Sequence, residues 1–217
     1  MIDFHDIRMT HKHFGYLAIQ RGEINSLADR PSEFAEAYRG TLKRDFETMQ
    51  PVLPLMARRV LDVGSGLGGI SIFLKRYYSA GRGGSEAHLL DGKDDPPYHT
   101  QRGDDRTFSN EEAARDFWQV NDTKLDGYHD ASQRGGLEPF ECDLVISLFS
   151  WCFHYAPAVY LDFVRACCND KTVLIVDLRR STSKNKIHWR EDLERHFQQT
   201  YILWDRPKFI RTAWRLK

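Results

Sequence analysis

The stretch Val60-Leu61-Asp62-Val63-Gly64-Ser65-Gly66-Leu67-Gly68-Gly69 constrains this chain more than any other. An apolar run gives way to closely spaced glycines, and the segment Ile70–Tyr77 beyond them is expected to be helical. A buried strand, a tight turn and a helix in that order open a parallel α/β sheet. Glycine has no Cβ, so the turn can bend sharply and let a ligand approach the backbone. The helix then offers that ligand unpaired N–H groups and the positive end of its dipole. Gly64, Gly66 and Gly69 satisfy G-x-G-x-x-G, a pattern of dinucleotide-binding turns. Asp62 departs from that reading. A carboxylate two residues before the first glycine repels a pyrophosphate and favours a ligand with positive charge.

Asp62, Gly64, Ser65, Gly66 and Gly68 together resemble the acid-led glycine motif of class I, S-adenosylmethionine-dependent methyltransferases. The resemblance implies an α/β fold with a Rossmann-like seven-stranded sheet, helices on both faces, and S-adenosylmethionine as cofactor. Its sheet would be mostly parallel with an antiparallel C-terminal hairpin strand. On the motif alone a nicotinamide or flavin dehydrogenase competes with it. The end of the chain separates the two. Thr200–Trp204 and Phe209–Arg215 read as strands with only Asp205-Arg206-Pro207-Lys208 between them. A parallel crossover needs a dozen or more residues, so these strands pair as a hairpin. Dinucleotide sheets continue in parallel, whereas the methyltransferase sheet closes this way.

The intervening segments supply further expected contacts. Ala87-His88-Leu89-Leu90-Asp91-Gly92 reads as a second buried strand. Its Asp91, followed by Gly92, stands about 20 residues past the glycines, where either fold carries an acid for the ribose hydroxyls. Lys124–Tyr128 is expected as a short third strand. Asp130-Ala131 after it matches the acid-plus-small pair that reads adenine in the enzymes the chain resembles. Cys142-Asp143-Leu144-Val145-Ile146-Ser147-Leu148 is a fourth strand, similar to their D-L-V-hydrophobic-S strand, and it sets Ser147 against the cofactor. A helix over Val159–Cys168, a fifth strand over Thr172–Leu178 and a helix near Glu191–Phe197 complete the pattern. Upstream, residues 1–57 read as a helical extension, with Ser32 as N-cap and Phe34, Ala37, Tyr38, Leu42 and Phe46 at helical spacing. It is expected to be a layer on the sheet or a lid over the cleft. The methyltransferase unit would then span 58–217.

The chemistry is expected where the first and fourth strands end, since ligands of open α/β sheets bind beyond the carboxyl ends of the strands. Methyl transfer is an in-line displacement, so alignment of the acceptor is the main task. A hydroxyl acceptor must also lose a proton, and His154 is the candidate base. Its alternative is a ring packed beneath the next helix. Ser147 and Ser150 are candidates for the substrate or methionine side, or for satisfying local backbone, and Asp177, at the end of the fifth strand, is a second candidate base or a turn cap. No acids and histidine show the spacing of a divalent-metal site, so a metal-independent enzyme is expected. The segment Ser147–Tyr155 resembles that of uncharacterised bacterial or phage methyltransferases labelled sugar O-methyltransferases. This implies a small-molecule or glycan hydroxyl as acceptor. The alternatives are a nucleic-acid or protein N-methyltransferase, and an idle methyltransferase fold used as a binding subunit.

Asp95-Pro96-Pro97-Tyr98 spells the D-P-P-Y motif of nucleic-acid amine methyltransferases, in which the tyrosine stacks on a flipped base. There it follows the fourth strand. Here it follows the second, which argues for a chance match or a substrate-side loop. Lys plus Arg and Asp plus Glu both number 31, so no global basic field gathers nucleic acid, although a local groove is compatible with this balance. The loop Arg179–Lys186 is basic and faces either solvent or an anionic group on the acceptor. Cys142, Cys152, Cys167 and Cys168 lack C-x-x-C spacing and are expected to be free thiols. There is no signal pattern and no apolar run near the ~18 residues that span a bilayer, so a cytoplasmic location is expected.

Overall fold

In the computed structural model, which describes residues 6–20, 27, 29–80, 83–92, 110–131, 137–181 and 189–217, the strands buried on both faces organise everything else. β1 (Arg59–Val63), β4 (Cys142–Ser147) and β5 (Cys168–Arg179) alternate their apolar side chains between two cores. Val60, Leu144, Ile146, Val173 and Ile175 face one. Leu61, Val63, Val145, Leu174 and Val176 face the other. Side chains alternate with period two along a strand, so near-continuous apolar runs here require helices on both sides. α1 (His11–Gln20), α2 (Pro31–Met49), α3 (Gly69–Ser79) and α4 (Glu111–Val120) cover the first core. α5 (Leu161–Cys167) and α6 (Trp189–Glu194) cover the second.

With β2 (Glu86–Asp91), β3 (Gly127–Asp130), β6 (Phe197–Asp205) and β7 (Phe209–Leu216), the sheet runs β3-β2-β1-β4-β5-β7-β6. The first five strands are parallel. β7 is antiparallel to both β5 and β6, so the terminal hairpin is inserted with its second strand inside and its first at the edge. This is the sheet expected from the sequence. The order reverses between β1 and β4, and the ends of those two strands flank the cleft.

Several local expectations need correction. α2 begins at Pro31 with Arg30 as its N-cap and no side-chain cap, so Ser32 lies inside the helix. Proline at the first helical position needs no N–H partner there, which sets the start without a capping hydroxyl. β3 lies later than expected and ends on Asp130, because it pairs in register with β2 and aligns Asp130 with Asp91. Phe197 opens β6 instead of closing the preceding helix. Asn110 caps α4, accepting from the Ala113 N–H at 2.8 Å. The Asp95–Tyr98 motif and the part of the basic loop past Ser181 lie outside the described residues. Cys142, Cys152, Cys167 and Cys168 are free thiols. No helix among the described residues is long and apolar enough to cross a membrane.

Candidate active site

The glycine turn is built by positive backbone angles. Gly64, Gly66 and Gly68 stand at φ of 68°, 56° and 71°. Gly64 also has no room for a side chain, since a Cβ there would lie 1.7 Å from the Ser150 Oγ. At Gly68 a Cβ would meet Leu89 and the Trp118 indole within 3 Å, and that indole donates to the Leu67 carbonyl at 3.1 Å. The Tyr38 hydroxyl, brought in by α2, occupies the space beside Gly69. α3 then starts with the Ile72 N–H on the Gly68 carbonyl at 3.1 Å.

Three carboxylates stand in the last two positions of three adjacent strands. Asp62 of β1 is 3% exposed and accepts from the Ser71 hydroxyl of α3 at 2.7 Å. Asp91 ends β2 at 8% exposure, and its two oxygens accept from the Gly66 N–H at 2.5 Å and the Gly92 N–H at 2.9 Å. One oxygen therefore touches the glycine turn itself. Asp130 ends β3 directly beside Asp91, and Ala131 is buried behind it. Asp62, Gly64, Ser65, Gly66, Gly68, Asp91, Gly92, Asp130 and Ala131 thus lie on one continuous rim. Ring hydroxyls suit such carboxylates, and positive charge suits their combined field.

On the other side of the reversal point, β4 runs into a tight turn. Ser150 accepts at its carbonyl from the N–H groups of Phe153, His154 and Tyr155, at 3.1, 2.7 and 3.2 Å. Cys152 donates its N–H to the Tyr155 carbonyl and accepts from the Arg179 N–H of β5. Phe149 and Cys152 have φ of 58° and 65°. Such left-handed backbone costs a non-glycine residue roughly 1–2 kcal/mol, and it persists only where surrounding contacts enforce it. The turn places Ser150 against Gly64 and leaves His154 exposed, edge-on to Phe153 at 4.8 Å. Burial pushes the Cys152 thiol well above its ordinary range, so it stays protonated and inert.

Two expected site residues have other tasks. Ser147 is fully buried, donates to the Val63 carbonyl at 2.7 Å and accepts from the Trp151 N–H at 2.9 Å. Its hydroxyl ties the ends of β1 and β4 together. Asp177 is also fully buried, and Arg211 of β7 grips both its oxygens at 2.8 and 2.9 Å. Taking up a proton would break that bidentate pair, which opposes a role as base. Arg211 reaches further to Asp45 at 3.0 Å and Thr48 at 2.7 Å, both on α2. Burial works against its charge, but the Asp177 and Asp45 carboxylates raise it above the ordinary arginine value. Tyr38, Trp118 and Arg211 were not foreseen as site supports. Only Arg211 carried a signal: in β7 it shares a phase with Phe209 and Ala213, where a charge points inward and needs acids.

Among the described residues no three His, Cys, Asp or Glu side chains gather where they could hold a metal ion. No family model matches the sequence, and no curated protein does. Solved structures do match the fold. A magnesium protoporphyrin IX methyltransferase from Synechocystis, solved with bound S-adenosylmethionine, is 16% identical with a TM-score of 0.52. The match covers all of this chain and 98% of that one. A ribosomal protein L11 methylase from Lactobacillus delbrueckii is 14% identical over 79% of this chain and 76% of that one, with a TM-score of 0.51. A T. thermophilus 16S rRNA methyltransferase, in complex with AdoMet and guanosine, is 15% identical over 79% and 42%, with a TM-score of 0.54. At these identities the likeness is one of fold, and the fold is that of class I methyltransferases.

Proposed function

We propose that this chain is an S-adenosylmethionine-dependent methyltransferase acting on a small-molecule or glycan hydroxyl, by in-line transfer without a metal. The carrying observation is the row of Asp62, Asp91 and Asp130 at the ends of β1, β2 and β3, around a turn of positive-φ glycines. Of these three carboxylates, Asp62 beside the turn repels a pyrophosphate. A ligand with a sulfonium, an ammonium and ribose hydroxyls is attracted by them. Asp91, held by Gly66 and Gly92, is the ribose acid; Asp130 and Ala131 border the adenine; Asp62, Gly64, Ser65, Gly66 and Gly68 form the turn against the methionine end. α1 and α2 act as a covering layer, with Tyr38 closing the space over Gly69.

When bound, the cofactor supplies an electrophilic methyl group on sulfur. The protein's task is alignment and proton removal. Ser150 orients the acceptor beside Gly64, and His154 takes the hydroxyl proton during attack. The structural neighbours carry acceptors as different as a porphyrin, a ribosomal protein and an rRNA, so fold alone does not select the acceptor. The test is titration calorimetry with S-adenosylhomocysteine and with NAD. Binding of the former and weaker or no binding of the latter is expected, and tighter NAD binding overturns the assignment. Asp91→Ala should weaken S-adenosylhomocysteine by roughly 1–3 kcal/mol, the worth of charged hydrogen bonds. An unchanged affinity would mean that the ribose acid lies elsewhere.

A further inference from the structure

Past Ser150, the strand ends carry four aromatic rings in mutual contact. Phe149 lies edge-on to Phe209 at 4.7 Å and to Phe153 at 5.3 Å, and Phe209 lies edge-on to Trp204 at 5.4 Å. Phe149 follows β4, Phe209 opens β7 opposite Arg179 at the end of β5, and Trp204 is near the end of β6. Because β6 and β5 both run antiparallel to β7, all four rings sit at the same edge of the sheet as the glycine turn. They lie on the β4 side of the reversal point, away from the ribose acid. The turn from Ser150 to His154 is continuous with them.

Guanidinium groups lie over these rings. Arg206 is 4.6 Å from the Trp204 centroid and Arg179 is 5.8 Å from that of Phe153. Both arginines are exposed, and neither forms an ion pair with an acid among the described residues. Their neighbours differ: Arg180 pairs with Asp205, and Arg211 with Asp45 and Asp177. A ring face holds a cation through its quadrupole and leaves its charge intact. A guanidinium held in that way keeps the N–H edge that matches a carboxylate or phosphate. Two such cations beside an apolar wall are chemistry for an acceptor with an anionic group and a ring. A neutral sugar would use neither.

We propose that Phe149, Phe153 and Trp204, backed by the buried Phe209 and with Arg179 and Arg206 at their margin, bind the methyl acceptor, and that this acceptor is a hydroxylated aromatic molecule carrying a carboxylate or phosphate. This rests on the methyltransferase reading above and narrows its acceptor class. The ring packs on the aromatic wall, the anion takes the guanidinium edges, and the hydroxyl faces His154.

The experiment titrates the protein, with and without saturating S-adenosylhomocysteine, with 4-hydroxybenzoate, 4-hydroxyphenyl phosphate and phenol, and with a single-stranded RNA oligonucleotide. At least one anionic probe should bind about tenfold or more tightly than phenol, and the tighter of the two identifies the anionic group. The double variant Arg179→Gln, Arg206→Gln should lose that preference while its affinities for phenol and S-adenosylhomocysteine stay at wild type. Equal affinity for anionic and neutral probes, no binding of either anion at millimolar concentration, or an undiminished preference in the double variant overturns the proposal. So does RNA binding tighter than that of any small anion. If S-adenosylhomocysteine binds but the anion preference is missing, only this inference fails. If S-adenosylhomocysteine does not bind, the methyltransferase reading fails and takes this inference with it, whatever the probe series shows.

Discussion

His154 shows how little of a candidate catalytic residue's case comes from its own side chain. Its N–H is fixed on the Ser150 carbonyl at 2.7 Å, in a turn clipped to β5 through Cys152. The ring is exposed and makes an edge contact with Phe153, so its removal takes little from the core. His154→Ala should therefore lower kcat by about 10²–10⁴, the usual contribution of a positioned general base. Its melting temperature and S-adenosylhomocysteine affinity should stay near wild type. A drop in melting temperature with kcat unchanged would identify a packing residue instead. Gly64 is the opposite case, since a methyl group there meets Ser150 and must adopt a positive φ. Gly64→Ala should cost about 1–3 kcal/mol in denaturant unfolding and weaken S-adenosylhomocysteine as well, because the turn and the acceptor loop move together.

At the scale of elements, one buried and two half-buried histidines tie strands and helices and make their packing sensitive to pH. His13 of α1 is fully buried against Asp116 of α4 at 2.9 Å. His88 of β2 and His129 of β3 lie 3.1 Å apart with their rings stacked, beside Phe140. Burial lowers His13 and His88 below the ordinary 6.5, although Asp116 pulls the first up and Glu86 the second. Burial and the neighbouring His88 lower His129 in the same direction. Between these folded values and 6.5 the unfolded chain binds protons that the folded chain does not, so stability rises with pH there. Melting temperature should thus be flat above about pH 7 and fall as pH drops below 6.5, and His129→Gln should make that slope shallower. A wild-type melting temperature constant from pH 7 to 5 would remove this account.

The same elements show what the sequence made legible. The β1 turn, β4 and the closing hairpin were readable because apolar runs, glycine spacing and a short connection each carry local geometry. β3 was misplaced because its four residues are all half-buried at an edge and have no periodicity of their own; pairing with β2 sets its register. The partners of Asp177 and Ser147 were illegible for a related reason. The position of both residues at strand ends is visible in sequence, but Arg211 and the Val63 carbonyl, which engage them, come from distant segments. The aromatic wall is equally invisible, since Phe149, Trp204 and Phe209 meet only when β7 enters between β5 and β6.

Across the whole molecule, one buried arginine joins the N-terminal layer to the sheet. Arg211 touches Asp45 and Thr48 on α2 and Asp177 on β5, with every partner carboxylate buried. Removing one member of such a cluster leaves uncompensated charge and typically costs about 3–5 kcal/mol. Arg211→Met should lower the melting temperature by roughly 10 °C for a chain of this size, and calorimetric scanning checks it. The triple change Arg211→Met, Asp177→Leu, Asp45→Leu should recover much of that loss, because an apolar cluster needs no partners. If the single variant melted like wild type, the cluster would have no structural weight.

That cluster also sets a timetable for synthesis. Arg211 and Asp45 are 166 positions apart, so the acid on α2 leaves the ribosome long before its cation exists. Until then Asp45 and Asp177 are two negative charges destined for the same dry site, and only the apolar face of α2 draws it onto the sheet. A nascent chain halted before residue 211 should stay open at this end and yield to protease. The chain that includes it should close in one late step, at the moment its last strand slips in beside β5.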